Sequence, residues 1–259
     1  MKTISASGEV LNVYQTGDRP VLLLCADGYH YVCKYKMPGG AAYKLVNELV
    51  GSVFAKTWGI ATPPFCFVTN DSIIWRKAAI SHDPLAPLFG SRKMENVFDL
   101  SEINCDQIKI SVSSIHQLLR ISLFDFWLSN EDRTCNNYNL LYDLANERIV
   151  SIDYGGLFNS GISGLPLYQL NESDSILSSE LYDRMKGSGI HFSFDEVYTS
   201  FIKNMRRCRA LTRMILDSVP RAWNVDMKAI ENRLSDLFTD TWVQNTWDNF
   251  VAIASVNSK

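Results

Sequence analysis

The stretch that decides the reading is Asn130-Glu131-Asp132-Arg133-Thr134-Cys135-Asn136-Asn137-Tyr138-Asn139-Leu140-Leu141, followed by Ile152-Asp153-Tyr154-Gly155. Just before it, residues 114–128 are apolar nearly all round, the pattern of a helix buried within a lobe. Just after it, 139–142 and 149–152 read as two short strands joined by a polar turn. An Asp, an Asn five residues on, a strand, and a second Asp closing the partner strand ahead of Gly is a spacing that suits phosphoryl transfer. One carboxylate orients the attacking hydroxyl and takes its proton, while an amide oxygen and another carboxylate hold Mg²⁺ against the phosphates. Asp132 suits the first role, and Asn137 and Asp153 suit the second.

Such chemistry also needs a cation on the nucleotide phosphates, normally a strand Lys held by a helix Glu. Segments 9–14, 20–25 and 29–35 are Val/Leu/Tyr-rich and separated by Gly17-Asp18 and Asp27-Gly28, so they read as an antiparallel meander. Lys34 lies on the last of these, on one face with His30 and Val32. From residue 41 to 58 the period becomes helical, and Glu48 is the single acid between Gly39 and Gly59. A Glu inside an apolar helix needs a cationic partner, and Lys34 is the obvious one. Thr62-Pro63-Pro64 then forces extended backbone, and 65–69 and 72–80 read as two further strands around an Asn70-Asp71 turn.

Each feature alone has a simpler reading. An Asx-rich loop can merely cap a helix, an edge-strand Lys can face water, Glu48 can sit on a solvated face, and Asp-Tyr-Gly is an ordinary strand exit. Their order and spacing together favour the phosphotransfer reading.

Composition agrees with that reading. The 259 residues carry 25 Lys+Arg against 28 Asp+Glu, a net charge of −3, and 46% are hydrophobic. This excludes a mainly disordered chain and a broad phosphate-neutralising surface, so direct nucleic-acid binding is not expected. The basic series Lys203, Arg206, Arg207, Arg209 and Arg213 reads as a solvated helix face. No apolar run reaches membrane-spanning length, and the N-terminus lacks a signal-like core, so a cytoplasmic protein with no membrane contact is expected. Six cysteines without a C-x-x-C pair read as buried thiols, Cys135 excepted. No G-x-x-x-x-G-K-[ST] occurs, which excludes a P-loop enzyme, and without G-x-S-x-G a hydrolase is poorly supported.

Lys34, Asn47-Glu48-Leu49, Trp58-Gly59-Ile60 with Pro63-Pro64, Phe89-Gly90-Ser91-Arg92, Asp132-Arg133-Thr134-x-x-Asn137-x-Asn139-Leu140-Leu141 and Ile152-Asp153-Tyr154-Gly155 together resemble the HipA-like kinases, over about residues 20 to 160. The Asp-Arg string is also similar to that of phosphatidylinositol kinases. The resemblance implies an α+β, two-lobed protein kinase-like fold. The small lobe would span 1–80, with its helix at 41–58. A mainly helical lobe would span 81–259, with the catalytic loop at 130–139 and a joint near 81–102. It implies an ATP- and Mg²⁺-dependent serine/threonine kinase in which Asp132 is the base, Asn137 and Asp153 are metal ligands, Lys34 is the phosphate-binding lysine with Glu48 as its partner in the ATP site, and the backbone at Lys77, Ala78 and Ala79 meets adenine. Residues 155–164 would be the activation segment, with Ser160 and Ser163 as phosphosites. Partners would be a protein substrate and a small DNA-binding antitoxin, since relatives act as toxins. The turn Gln15-Thr16-Gly17-Asp18-Arg19-Pro20 departs from the family's Gly/Ser-rich phosphate loop, because one Gly and an Asp make a poor anion nest. Arg19 is the candidate to supply the missing donors. That departure keeps two alternatives open, an inactive pseudokinase serving as an interaction module and a lipid or small-molecule kinase.

Overall fold

The computed structural model describes residues 1–69, 73–75, 80–101, 104–161, 166–189 and 193–256. The small lobe contains β1 (Thr3–Ser5), β2 (Gly8–Glu9), β3 (Asn12–Val13), β4 (Val21–Leu24), β5 (His30–Lys34), α1 (Tyr43–Trp58), β6 (Phe65–Thr69), β7 (Ile73–Ile74) and β8 (Leu88–Arg92). The large lobe follows with β9 (Val97–Asp99), α2 (Val112–Leu128), β10 (Leu140–Asp143), β11 (Arg148–Ser151), α3 (Leu157–Ser160), α4 (Glu180–Gly187), α5 (Phe194–Ser218), α6 (Met227–Asp236) and α7 (Asp240–Val256).

Six strands form the main sheet in the order β1-β6-β8-β5-β4-β3, antiparallel except for β1 beside β6. This corrects the expected five-stranded meander and the expected boundary at residue 80. Segment 88–92 is a central strand pairing with both β5 and β6, so the small lobe runs to Arg92 and the chain crosses to the large lobe at 93–96. The pattern hid this strand because Gly90 sits at its centre. A Cβ there would lie 2.8 Å from Val68 Cγ2 and 3.3 Å from Cys33 Sγ, so the neighbouring strands leave room for no side chain.

Strand alternation sorts the small lobe's two faces. Tyr31 and Cys33 turn into a core with Val21, Leu23, Cys25, Cys66, Val68 and Leu88, roofed by Ile4, Ala6 and Val10. His30, Val32 and Lys34 face the other way, and Phe67 and Phe89 join the core around α1. That helix is buried on most of its surface and ends on Gly59, whose left-handed backbone (φ 70°) lets its N–H cap the carbonyls of Ala55 and Lys56. In the large lobe α2 starts on a reciprocal Ser111/Ser114 capping box; it is buried along one face of its first half and on all sides from Ile121 to Leu128. The hairpin β10–β11 follows the 130–139 loop and ends next to Asp153, with β9 on its outer edge. Lys203, Arg206, Arg207, Arg209 and Arg213 are exposed along α5, as expected of a solvated face. All six cysteines are free thiols, and only Cys135 is not fully buried. No helix among the described residues is long and apolar enough to cross a membrane.

Candidate active site

Lys34 is the hub of the site. Its Nζ donates to Glu48 Oε1 at 2.6 Å and to Asp153 Oδ1 at 2.5 Å, joining β5, α1 and the segment after β11. Glu48 is buried on α1, whereas about a third of the Asp153 side chain reaches solvent. Burial alone would lower the Lys34 ammonium's affinity for its proton, but the Glu48 and Asp153 carboxylates outweigh it and hold lysine above its ordinary range. Burial pushes the Glu48 carboxyl up, with Lys34 opposing. For Asp153 the balance reverses: burial raises it, but the Lys34 charge and hydrogen bonds bring it below the usual aspartate range.

Asp132 stands on the other side of a short bridge. Asn137 Nδ2 donates to its Oδ1 at 3.0 Å and Asn139 Nδ2 to its Oδ2 at 3.2 Å. The bridge is the pair Gly155-Gly156. A Cβ on Gly155 would lie 3.3 Å from Asp153 Oδ1 and 3.4 Å from Lys34 Nζ, and one on Gly156 would fall onto the Cβ of Asp132. Two consecutive glycines therefore let the backbone pass between both halves, which form one cluster. Asp153 itself takes a left-handed backbone (φ 55°), and its Oδ1 accepts from Gly155 N at 3.2 Å.

Several residues to which the sequence reading gave no role hold this arrangement. Asn47, beside Glu48 on α1, donates from Nδ2 to the carbonyls of Gly155 (2.9 Å) and Leu157 (3.0 Å), tying the helix to the chain after Asp153. A buried Asn within an apolar helix was the available signal. Beneath the loop, Arg133 is fully buried; its Nη2 donates to Ser151 Oγ (2.8 Å) and the Ile152 carbonyl (2.9 Å), and its Nη1 lies 3.4 Å from Asp125 Oδ1. Asn130 Nδ2 donates to the same carboxylate at 2.8 Å.

Lys77, Ala78 and Ala79, expected to meet adenine, lie outside the described residues; the last strand of the small lobe is β8. Ser163 is likewise outside, and Ser160 closes the short α3. A separate groove of about 1040 Å³, lined in part by Lys56, Ile60, Pro63, His116, Arg120 and Arg148, contains none of the site's residues.

The donor set suits a hard cation. Asn137 offers an amide oxygen and Asp153 a second carboxylate oxygen beyond the one given to Lys34. No group of three or more His, Cys, Asp or Glu able to enclose a metal occurs among the described residues. A cation here would complete its shell from phosphates and water, which is how Mg²⁺ is usually bound beside nucleotides.

Compared with known proteins, residues 9–249 match the model of the HipA-like kinases. The chain belongs to that family. A solved structure covering nearly all of it is that of a Helicobacter pylori proinflammatory kinase, CtkA, at 11% identity and a TM-score of 0.53, over 98% of this chain and 99% of that one. At such identity the likeness shows a shared kinase fold. The open conformation of CtTel1 and its FAT and kinase domain match at 13% identity, with TM-scores of 0.31 and 0.32, over 92% and 94% of this chain and 12% and 22% of theirs. No curated protein matches the chain. By family and fold, this HipA-like kinase is a kinase-like phosphotransferase of two lobes.

Proposed function

We propose that the protein transfers the γ-phosphate of ATP, with Mg²⁺, to a serine or threonine hydroxyl of a protein substrate. The observation that carries this reading is Lys34 clasped between Glu48 and Asp153, with Asp132 one glycine pair away and hydrogen-bonded to Asn137. In this reading Lys34 neutralises the nucleotide phosphates, and Glu48 fixes its ammonium. Asp132, steered by two amide groups, orients the acceptor hydroxyl and takes its proton. Asn137 and Asp153 hold Mg²⁺, which supplies charge neutralisation on the phosphates. Adenine lies against the backbone at 93–96, where the chain leaves β8. A small DNA-binding antitoxin as partner, and a role as a toxin, rest on family resemblance alone.

The test is phosphate transfer from labelled ATP to the protein itself or to mixed protein substrates. Asp132→Asn and Asp153→Asn are each expected to lower the rate by about 10² to 10⁴-fold, the scale of losing a positioned proton acceptor or a metal ligand. Undiminished transfer by both variants would sink the assignment. The second reading, a pseudokinase acting as an interaction module, is favoured by one observation. The turn at 15–20 presents a carboxylate, Asp18, towards the lysines where relatives present backbone amides. Under that reading neither wild type nor variant transfers phosphate.

A further inference from the structure

The turn between β3 and β4 reaches over the lysine cluster. Tyr14 N donates to the Pro20 carbonyl (2.9 Å) and Arg19 N to that of Thr16 (2.8 Å), with Arg19 left-handed at φ 46°. Closed in this way, the turn directs Asp18 between two ammonium groups. Its Oδ1 accepts from Lys44 Nζ at 2.6 Å, and its Oδ2 lies 3.9 Å from Lys34 Nζ.

Lys44 is oddly placed for a merely structural residue. It is the second residue of α1, where the helix dipole favours acids, and the first turn of α1 contains none. Its side chain is 58% exposed and pairs with Asp18. The cluster thus sets two ammonium groups against three carboxylates, a balance that repels a polyphosphate. Glu48 is buried, and Asp153 is tied down by Lys34 and the Gly155 amide. Asp18 is the one carboxylate on a solvent-facing turn, so it is the one free to leave.

We propose that Lys44 is a phosphate-binding residue of the nucleotide site, and that the Asp18 carboxylate holds the place of a β- or γ-phosphate oxygen until nucleotide displaces it. This rests on the nucleotide-dependent reading above. It also accounts for the poor anion nest at 15–20. Lys is an effective point-charge partner for phosphate, so side-chain ammonium groups on β5 and α1 replace the missing loop amides. A nucleotide with β- and γ-phosphates exchanges one half-exposed ion pair for a contact with a more highly charged anion. AMP reaches neither Lys44 nor Asp18.

The experiment is equilibrium titration of Mg²⁺-ATP and of AMP, followed by calorimetry, on wild type, Asp18→Asn, Lys44→Ala and Lys44→Arg. Asp18→Asn is expected to bind Mg²⁺-ATP about fivefold tighter and Lys44→Ala about fivefold weaker, the scale of one half-exposed ion pair. Lys44→Arg should keep wild-type affinity, and AMP should bind all four proteins alike. Unchanged Mg²⁺-ATP affinity in both Asp18→Asn and Lys44→Ala overturns the inference and leaves the nucleotide reading intact. Weaker binding by Asp18→Asn makes Asp18 a nucleotide or metal contact and overturns it too. A parallel change in AMP affinity marks a structural role and does the same. If neither wild type nor Asp18→Asn binds ATP, the nucleotide reading fails and takes the inference with it.

Discussion

Arg133 carries its charge into a place with no solvent, which is costly unless the charge is answered. The answer is Asp125, also buried, with Asn130, Ser151 and the Ile152 carbonyl taking up other groups around the pair. Burial pushes the Asp125 carboxyl up to about 6 despite the Arg133 charge and the Asn130 hydrogen bond. Desolvation therefore outweighs attraction at this site, so the pair serves to fix the loop between Asp132 and Asp153 more than to stabilise the fold. The sign of the pH effect follows. Folded protein holds this proton to a higher pH than the unfolded chain, so the contribution is full below the ordinary aspartate range and is lost as pH rises through about 6. Between pH 4.5 and 7.5 the wild type should lose about 2 kcal/mol of stability relative to Asp125→Asn, which has no such proton to release. Urea unfolding of both proteins across that range measures it. A difference that stays flat would mean that Asp125 is ionised throughout.

At the scale of elements, α1 decides the geometry, because it carries Glu48, Asn47 and Lys44 on one rigid body and packs against the chain after Asp153. Gly51 allows that approach: a Cβ there would land in the Tyr154 ring. Gly→Ala within a helix ordinarily gains roughly 1 kcal/mol, but here the overlap should win. Gly51→Ala is expected to lower stability by about 1 to 3 kcal/mol, as overpacking does, and to weaken phosphate transfer by shifting Glu48 from Lys34. Thermal unfolding and the transfer assay, run together, check both; a stabilised, fully active variant would refute the packing argument. Elements with one strong period were legible in the sequence. The spans of α1, α2 and the hairpin β10–β11 follow from apolar spacing to within a residue or two, and the approach of Lys34 to Glu48 follows from a Glu that had to be partnered. Elements whose reason lies elsewhere in the fold were hidden. Strand β8 is interrupted by a glycine that only the crowding of Val68 and Cys33 explains, and β1 turns a single buried residue, Ile4, inward from a partner more than sixty positions away. Asp18 and Lys44 were illegible for the same reason, since nothing local relates a turn residue to the first turn of a helix 26 positions later.

The whole molecule has two lobes but a largely common core. Residues of α1 with Phe67 and Phe89 of the small sheet belong to the same buried cluster as α2 and the C-terminal helices. Trp127 of α2 stacks with Phe54 and Trp58 of α1, each at 5.5 Å between ring centres. A second tie comes from the far end of the chain. Trp223, fully buried between α5 and α6, meets Phe67 edge-on at 5.3 Å and donates from Nε1 to the Pro87 carbonyl at 2.7 Å; its own carbonyl accepts from Ala42 N at 3.0 Å. The lobes are thus joined by the crossing at 93–96, by the α1 packing and by Trp223, so neither lobe can lose its structure while the other keeps a complete core. Unfolding should then be a single transition, with calorimetric and van't Hoff enthalpies in agreement. Trp223→Ala should lower stability by about 3 to 5 kcal/mol and move that one transition as a whole. The loss should reach the nucleotide site as well, because Ala42 precedes the helix turn that positions Lys44. Scanning calorimetry distinguishes the outcomes: two separate transitions in the wild type, or a shift confined to one of two in the variant, would mean that the lobes fold independently and that the shared core is only contact.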